Sequence, residues 1–498
     1  MENLLQKHFG HTMFKEYQLD VIQYILQGLD NLVIMPTGSG KSLCYQFSCL
    51  ITNKITIVVS PLVSLMDQQV NYLLECNIKS RYYDSNEINN IVHDMLNYQI
   101  VYFTPEKFAG IIDKLDLIKD YIGLFAIDEC HCISEWGHDF RPTYMRLGYF
   151  KKLYPQIPLI ALTATAPNEI EIDIISKLNL DISTTALTKT SIYRDNLKYI
   201  FRIKYDFEKD LDQLYQNKED KELPTIIYTN TIKNTDKICN YLINKFDIKC
   251  INYYAGIDKE TKTEIHDFFI KNKIHCLVAT IAYGMGIHKD NIRRVVHYTA
   301  PASVEQYCQQ VGRAGRDNKS AECIMYYNST DFSLLHNKNN IEKSKQMYNF
   351  CCSAKCRNTF LLNYFGDDET IISNCDCDNC IPDNTTKETD LTFEIKNLLN
   401  TVYLTGQIYG VGIIIDILRG SKKKQIIDKK LDNISVYGKG KYKSICWWKY
   451  IITLIQSKYC YLTTNNEYNN LVITNLGKQF LYINNTKKIN IKLNCEIE

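Results

Sequence analysis

The first third of the chain alternates short apolar runs with segments of helical periodicity. Each apolar run ends in a turn, as in "NLVIMPTGSGKS", "ITIVVSPLVSL", "QIVYFTPEK", "LFAIDECH" and "PLIALTATA". This alternation is typical of βαβ units around a parallel sheet. It pauses over the charged stretch "KYDFEKDLDQLYQNKEDKELP" and resumes with "TIIYTNT", "KCINYYAGI", "HCLVATIAYGMGI" and "RRVVHYTAP". The pattern predicts an α/β protein with two parallel-sheet domains joined near residues 198–220.

The rest of the chain has a different pattern. Residues from about 340 to 385 are rich in cysteine and poor in strand signal, and the polar linker "PDNTTKETD" follows them. Three helix-like runs then precede "YCYLTTNNEYNNLVIT", which predicts a β-hairpin with Tyr468 in its polar tip. Helices followed by a hairpin suit a winged helix. We therefore predict sheet domains at 1–198 and 199–340, a cysteine-rich segment at 341–385, a winged helix at 390–485 and a tail at 486–498.

Composition narrows the class of protein. The 498 residues are 45% hydrophobic and 23% charged, as in ordinary globular proteins. The sequence shows neither a bilayer-spanning apolar run nor a secretory signal, so we expect a soluble intracellular protein with no membrane partner. Its compartment would be nuclear in a eukaryote, and otherwise cytoplasmic or a viral factory. The 19 cysteines are then expected as reduced thiols, most of them small buried hydrophobes.

Charge is unevenly distributed along the chain. From Leu391 onward there are 16 basic and 7 acidic residues, a balance of +9, while the preceding part has 42 basic and 49 acidic residues. A basic C-terminal module on a mildly acidic body points to a polyanionic partner. A solvated basic tail remains the alternative. Arg419 and the three lysines 422–424 are candidates for phosphate contacts there, although a solvated basic turn is an equal alternative for any one lysine.

A glycine-rich turn, "MPTGSGKS", follows the first apolar run and precedes a helical segment. Backbone N–H groups of such a turn point at phosphate, and the helix dipole adds to the attraction. Lys41 would reach the β- and γ-phosphates of ATP, and Ser42 would ligate Mg²⁺. The nucleotide-binding residues predicted here are Thr37, Gly38, Ser39, Gly40, Lys41 and Ser42. Met35 stands where the general motif has Gly or Ala.

Two further motifs suit phosphoryl transfer. Asp128 and Glu129 follow an apolar strand, where one carboxylate can hold Mg²⁺ and the other can orient or deprotonate the attacking water. Arg313 and Arg316, in "QQVGRAGRD", are placed as arginine fingers in the second sheet domain. Fingers on one domain and the glycine-rich turn on the other would make ATP close the cleft between them. That arrangement predicts a motor.

The cysteine-rich segment contains a candidate zinc site. Cys356, Cys375, Cys377 and Cys380 would form a tetrahedral thiolate site, which leaves no position for water and is therefore structural. The spacing of Cys375 and Cys377 is unusually short for such a site. Cys351 or Cys352 could take the place of Cys375.

Together these motifs resemble those of the RecQ family of superfamily 2 DNA helicases. "FKEYQ", "MPTGSGKSLCYQ", "SPLVSLMDQQV", "DECHCISEWGHDFRP", "ALTATA", "VATIAYGMGI" and "QQVGRAGRD" occur in the family's order. "CRNTFLLNYFG" and "CDNC" resemble the family's zinc segment, and "TGQIYGVGIIIDILRGS" and "SVYGKGK" resemble its winged helix. The resemblance covers nearly the whole chain and implies two RecA-like domains. The extra helical C-terminal domain of many relatives is not expected.

The resemblance also implies roles for individual residues. Gln18 matches the adenine-reading glutamine, and residues 60–65 match a loop along the single strand. His131 and Thr163 match positions that relay nucleotide state to nucleic acid. The loop containing Trp136, Phe140 and Arg141 matches the single-strand sensor beside the catalytic acids, where aromatic faces stack on bases and arginine pairs with phosphate. Tyr468 is the candidate for stacking on the last base pair at a duplex junction.

The chain departs from the family pattern at four positions. Lys15 replaces an arginine, Tyr254 a histidine, His288 an aspartate and Gln310 a glutamate. The His288 change alters charge in a motif that couples the two domains, yet the catalytic acids and fingers are intact, so we expect an active motor.

The function predicted is an ATP-dependent 3′-to-5′ DNA helicase that uses ATP, Mg²⁺ and Zn²⁺ and binds a single-stranded tail and duplex junction. One alternative is a superfamily 2 RNA helicase. Another, of a different class, is a DNA-binding or strand-annealing protein that does not hydrolyse ATP.

Overall fold

The computed structural model describes residues 1–83, 91–134, 140–280, 289–333, 341–367, 372, 374–381, 386–464, 470–482 and 490–494. In these ranges the chain forms two parallel sheets, a short helical segment and a compact C-terminal module. None of the helices in these ranges is both long and apolar enough to cross a bilayer.

The first sheet has seven parallel strands in the order β3-β4-β2-β5-β6-β1-β7. They are β1 (Asn31–Ile34), β2 (Ile55–Val59), β3 (Ser80–Tyr82), β4 (Ile100–Phe103), β5 (Ile122–Ile127), β6 (Leu159–Thr163) and β7 (Ala186–Lys189). Its helices are α1 (Glu2–Phe9), α2 (Gln18–Leu26), α3 (Lys41–Thr52), α4 (Val63–Glu75), α5 (Ile91–Asp94), α6 (Pro105–Ala109), α7 (Gly148–Leu153) and α8 (Asn168–Lys177). Separate apolar clusters cover the two faces.

The second sheet has six parallel strands in the order β10-β11-β9-β12-β13-β8. They are β8 (Leu197–Ile203), β9 (Thr225–Tyr228), β10 (Cys250–Tyr253), β11 (Cys276–Ala279), β12 (Arg294–His297) and β13 (Ala321–Tyr327). Its helices are α9 (Phe207–Asp212), α10 (Ile232–Phe246), α11 (Lys259–Ile270), α12 (Val304–Val311) and α13 (Ser329–Ser333). The five quoted apolar runs of the first domain and the four of the second all contain strands, which confirms the predicted α/β class.

The junction between the sheets lies at residues 190–196, because β7 belongs to the first sheet and β8 to the second. The hydrophobic pattern instead indicated a pause near 198–220. Strand β8 lies partly in that stretch and occupies a sheet edge, where its residues alternate between buried and half-buried positions, so its apolar signal is weak. The domain boundaries given above stay predictions.

The cysteine-rich segment packs on the second sheet. Its helices are α14 (Ile341–Cys352) and α15 (Arg357–Tyr364), and their apolar residues share one core with β8, β12 and α12. Arg357 is buried, pairs with both carboxylate oxygens of Asp378 at 2.9 Å, and lies 4.2 Å from the centre of the Phe201 ring. The segment is therefore an extension of the second sheet's core.

The C-terminal module has its own core around Trp447 and Trp448. Its elements are β14 (Thr386–Asp390), α16 (Thr392–Leu404), α17 (Val411–Leu418), α18 (Lys424–Asp428), α19 (Ile445–Leu454), β15 (Leu462–Thr464), β16 (Leu471–Ile473), α20 (Asn475–Tyr482) and β17 (Asn490–Asn494). Strands β15 and β16 pair antiparallel, as predicted for the hairpin. Helices followed by this hairpin confirm the predicted winged-helix arrangement.

Candidate ATPase site and zinc centre

Four strand ends bring the predicted ATPase residues to one edge of the first sheet. Strands β2, β5, β6 and β1 are neighbours, and the chain leaves their carboxyl ends at residues 60, 128, 164 and 35. Parallel strands share the edge at which their carboxyl ends lie, and ligands of such sheets bind there. The topology therefore assembles a site from residues that are far apart in the sequence.

The glycine-rich turn begins where β1 ends, and α3 begins at Lys41. Gly38 and Gly40 have φ values of +89° and +85°, which glycine adopts without strain. The Lys41 ammonium donates to the carbonyl oxygens of Met35 at 2.7 Å and Pro36 at 3.1 Å. Burial lowers the pKa of Lys41, and the charges of Glu129 and Asp128 oppose that effect. The Lys41 side chain thus reaches back to the start of the turn and lies near both acids.

Two polar groups of the turn suit phosphate and Mg²⁺. The Ser39 hydroxyl is buried with no hydrogen-bond partner among the described residues. Ser42 and Asp128 both act on the buried Tyr45 hydroxyl, whose pKa is raised chiefly by burial. Both residues therefore lie near that one hydroxyl. Hydroxyl and carboxylate oxygens are the ligand types that Mg²⁺ takes, so the donor set fits the predicted metal.

Gln18 lies against the glycine-rich turn. It is buried, and its side-chain amide donates to the carbonyl oxygens of Gly40 at 3.0 Å and Ser39 at 3.4 Å. Lys15 completes this contact, because its backbone N–H donates to the side-chain Oε1 of Gln18 at 2.8 Å and its ammonium donates to Gly38 O at 3.1 Å. In this structure Gln18 fastens the segment before α2 to the turn, and its role in reading adenine stays a prediction.

Asp128 and Glu129 follow β5 and are held by backbone hydrogen bonds. The Asp128 N–H donates to Val59 O at 2.9 Å, and the Glu129 N–H donates to the Asp128 carboxylate at 3.0 Å. Burial, with the charge of Glu129 added, raises the pKa of Asp128 to about 7, while Lys41 opposes the rise. Glu129 has a φ of +48°, a left-handed conformation that costs about 1 kcal/mol in a residue with a side chain. The fold holds this acid in a strained conformation.

His131 connects Glu129 with the end of β6. Its Nδ1 lies 3.0 Å from the Thr163 hydroxyl and 3.3 Å from a Glu129 carboxylate oxygen. The Thr163 hydroxyl in turn donates to Thr165 O at 3.2 Å. Burial acts to lower the pKa of His131, but contacts with Cys132 and Glu129 raise it well above its ordinary value. The structure therefore connects both predicted relay residues, Thr163 through His131, to the predicted catalytic acid Glu129.

Tyr144 is a residue of this site that the sequence analysis missed. Its side chain is buried, and its hydroxyl donates to the backbone carbonyl of Asp128 at 3.0 Å. It lies in a helical turn 16 residues after the acid, where no motif spacing marks it. Its hydrogen bond fixes the backbone that carries both carboxylates.

The two arginines lie in a turn after α12, here called the finger turn (Gly312–Arg316). A Cβ built on Gly38 would lie 3.4 Å from Arg316 Cγ, and one built on Gly312 would lie 3.3 Å from Thr37 Cβ. Burial, with the charge of Arg313 added, lowers the pKa of Arg316 to about 9. Arg313 is buried, and its Nε has no hydrogen-bond partner among the described residues. The finger turn thus contacts the glycine-rich turn of the other sheet.

Gln310, one of the four departures from the family pattern, pairs with a buried histidine. Its side-chain carbonyl oxygen lies 2.7 Å from His297 Nε2, and burial lowers the pKa of His297 to about 4. The His297 ring stacks on Tyr228 at 5.3 Å, and Tyr228 is hydrogen-bonded to Arg313. The neutral side-chain amide of Gln310 is therefore hydrogen-bonded to a neutral His297 imidazole, close to Arg313. His288 lies outside the described residues.

The loop predicted to contact single strands is tied to residues 60–65. Arg141 donates to Pro61 O at 2.9 Å, and its backbone N–H donates to Cys132 O at 2.9 Å. Phe140 has the Lys177 ammonium 6.0 Å from its ring centre. Trp136 lies outside the described residues. The hydrogen bond from Arg141 therefore connects the two predicted strand-binding segments. Arg141 itself lies only 12 residues after Glu129 in the sequence.

The predicted zinc ligands form one cluster. The sulfur atoms of Cys356, Cys375, Cys377 and Cys380 all lie within 4.8 Å of one another. The Arg357 N–H lies 3.4 Å from Cys377 Sγ, and the Asn358 amide lies 3.3 Å from Cys375 Sγ. N–H donors to sulfur suit thiolates that bind a metal, so the residues fit structural Zn²⁺.

Cys375 belongs to this cluster despite its unusual spacing. The alternatives Cys351 and Cys352 lie on α14 and pack in the core shared with the second sheet.

The winged helix presents part of the predicted DNA-binding surface. Residues 422–424 lie at the start of α18, where Lys423 pairs with Asp416 at 2.8 Å. Arg419 donates to the Lys443 carbonyl oxygen at 3.1 Å, so its side chain stabilises the local backbone. The tip of the β15–β16 hairpin, with Tyr468, lies outside the described residues.

Comparison with known proteins identifies four family models along the chain. They are a DEAD/DEAH box helicase (residues 15–172), a helicase conserved C-terminal domain (207–318), RecQ zinc-binding (322–381) and an RQC domain (385–496). The solved structure of the DUF1998 helicase MrfA bound to DNA shares the fold, with a TM-score of 0.57 at 19% identity over 72% of this chain and 57% of that chain.

Three relatives align with 90% of this chain at 36% identity. The ATP-dependent DNA helicase RecQ of Pasteurella multocida is covered over 73% of its length, and the putative ATP-dependent RNA helicase R290 of Acanthamoeba polyphaga mimivirus over 85%. The chain spans only 34% of the mouse bifunctional 3′-5′ exonuclease/ATP-dependent helicase WRN. The chain therefore belongs to the RecQ family of superfamily 2 helicases and is an ATP-dependent DNA helicase of RecQ type.

Proposed function

We propose that the chain moves 3′ to 5′ along single-stranded DNA and separates the duplex ahead of it, using ATP hydrolysed between its two sheets. The observation that carries this proposal is the contact of the finger turn with the glycine-rich turn, Arg316 against Gly38 and Gly312 against Thr37. The direction rests on the family resemblance. Because the DNA that a helicase unwinds lies inside the cell, we propose an intracellular location.

The site residues divide the chemistry among them. Lys41 and the N–H groups of its turn bind the phosphates, and Glu129 orients and deprotonates the attacking water. Arg313 and Arg316 stabilise the charge that develops on the transferred phosphoryl group. Mg²⁺, held by Ser42 and Asp128, would neutralise charge on the phosphates.

Two hydrogen-bonded contacts would couple hydrolysis to the strand. His131 contacts both Glu129 and Thr163 through its Nδ1 atom. Arg141 connects the loop that follows the acids to residue Pro61 of the predicted strand-binding loop. A strand bound by these two loops would therefore act on Glu129 through short hydrogen-bonded connections. The zinc segment and winged helix would hold the duplex, with Tyr468 at the junction.

Two alternative functions differ from this proposal, one in the nucleic acid that is unwound and the other in the absence of ATP hydrolysis. A superfamily 2 RNA helicase would use the same ATPase residues, and one relative at 36% identity is named a putative RNA helicase. The zinc segment together with a basic winged helix favours DNA. A protein that binds or anneals DNA without turnover would have no reason to keep Lys41, Asp128, Glu129 and both arginines together in one site.

The test is the ATPase rate with no nucleic acid, with single-stranded DNA and with single-stranded RNA of the same length. We expect strong stimulation by DNA alone, loss of stimulation in Trp136→Ala, and retention in Trp136→Phe, which keeps an aromatic face. Equal stimulation by RNA would favour the RNA alternative. No stimulation of a folded, zinc-loaded protein would refute the motor. A helicase assay with tails at either the 3′ or the 5′ end tests the direction.

A further inference from the structure

The segment between the two sheets, residues 190–196, contacts the finger turn directly. Arg194 donates through Nη1 to Gly312 O at 3.4 Å and through Nη2 to Gly315 O. Asn196 donates from its side-chain amide to Gly315 O at 2.8 Å and to Lys319 O at 2.9 Å. The two side chains therefore bind the carbonyls on both sides of Arg313.

The finger turn has a shape that needs these partners. Gly315 has a φ of +54°, and a Cβ built there would lie 2.5 Å from Asn196 Nδ2 and 2.7 Å from Lys319 O. The Gly315 N–H donates to Ile292 O at 2.9 Å, on the side of β12. The turn is thus held between β12 and the segment 190–196, and Arg194 supplies the contact nearest the fingers.

Arg194 also lies at the interface between the sheets. It borders a cavity of about 30 Å³ whose lining includes Thr37, Thr165 and Gly312. The charge of Arg194 contributes to the lowered pKa of Arg316, so the two guanidinium groups are close. Burial raises the pKa of Tyr193, and the charges of Asp195, Cys375 and Cys356 add to the rise, so this residue lies near two of the predicted zinc ligands. The segment 190–196 therefore contacts the finger turn and lies near both the first sheet and the zinc cluster.

We propose that Arg194, supported by Asn196, is a positioning residue that holds the finger turn in the geometry needed for ATP hydrolysis. The proposal rests on the proposed ATPase function and adds a residue outside its motifs. A guanidinium presents several N–H donors in a fixed plane and can bind two carbonyls at once, whereas a lysine ammonium is a single compact point. The fixed donors of Arg194 thus set the distance between Gly312 O and Gly315 O, and with it the direction of Arg313.

The main variants are Arg194→Ala and Arg194→Lys, measured as DNA-stimulated ATPase in the full chain. We expect kcat to fall about 10- to 100-fold in both, because a displacement of about 1 Å in a catalytic group can cost about 100-fold. The KM for ATP should change less than about threefold. Lysine should not rescue kcat, because it keeps the charge and loses the fork.

Arg202→Ala is the matched control. Arg202 lies on β8, is also half-buried, and donates to Gln213 at 2.7 Å and to Tyr326 at 3.1 Å, away from the finger turn. We expect it to keep the parent kcat. If kcat falls as much in Arg202→Ala as in Arg194→Ala, general destabilisation explains both losses, and the proposal is overturned.

A double-mutant cycle with Arg313→Ala separates positioning from a merely structural role. If Arg194 acts through Arg313, the combined loss in kcat will be smaller than the product of the two separate losses. Fully multiplicative losses, or an Arg194→Ala enzyme with the parent kcat, would overturn the proposal. A parent protein without ATPase activity would instead refute the proposed function, so the two failures are distinguishable.

Discussion

Replacing Tyr144 with phenylalanine removes one hydroxyl from beside Asp128 and Glu129, the predicted catalytic acids. The Tyr144 hydroxyl donates to Asp128 O at 3.0 Å from a fully buried side chain. A buried hydrogen bond of this kind contributes about 1 kcal/mol net, and an unsatisfied buried partner costs about 1–3 kcal/mol. We therefore expect Tyr144→Phe to lower the free energy of unfolding by about 1–2 kcal/mol.

The same hydrogen bond should also affect turnover. If about 1 kcal/mol of it serves to hold Asp128 and Glu129 in place, kcat falls about fivefold, since 1.36 kcal/mol corresponds to a factor of ten. The assay is ATP turnover at saturating ATP and single-stranded DNA, with urea unfolding measured alongside.

Tyr154→Phe is the control. Its hydroxyl donates to Ile112 O at 3.3 Å, it is also buried, and it belongs to the same core but lies away from the acids. It should lose similar stability and keep its kcat. A Tyr144→Phe protein that turns over at the parent rate, or an equal loss of kcat in both variants, would refute the reasoning.

Three further predictions concern other parts of the chain. The pKa of His297 is lowered to about 4 in the folded protein, so the imidazole is protonated first in the unfolded chain as pH falls below about 6.5. The parent's free energy of unfolding should therefore fall by up to about 3 kcal/mol relative to that of His297→Gln between pH 6.5 and 4. Urea titrations of the two proteins that show a constant difference over this pH range would contradict the prediction. Cys375→Ser should lose bound zinc whereas Cys351→Ser keeps it, as measured by zinc content after dialysis, and equal retention would exclude Cys375 as a ligand. Arg141→Lys should raise the single-stranded DNA concentration for half-maximal ATPase about fivefold, because the bond to Pro61 O is lost, and an unchanged DNA titration would remove that coupling contact.

The fold class and the ATPase motifs were predictable because their signals are local. An apolar run followed by a glycine turn and a helical segment marks β1, the turn and α3, and the parallel topology then brings Asp128 beside Lys41. Strands β3 and β7 gave no such signal, because they are short edge strands of three and four residues that are only partly apolar. Edge strands pair on one side only, so their sequences are less constrained.

What the sequence alone determined, then, is the order of elements and the residues predicted to bind and hydrolyse ATP or to hold zinc: the glycine-rich turn, the two acids, the two arginines and the four cysteines. The glycine-rich turn, the acid pair and the arginine pair each lie within one turn or strand end, and three of the four cysteines lie within six residues. Only the tertiary structure decided which side chains hold them. Tyr144 reaches Asp128 across 16 residues, and Arg194 reaches Gly312 across 118. Such contacts form when separate elements pack against each other, and a hydrogen bond made across that distance leaves no periodicity or spacing in the sequence.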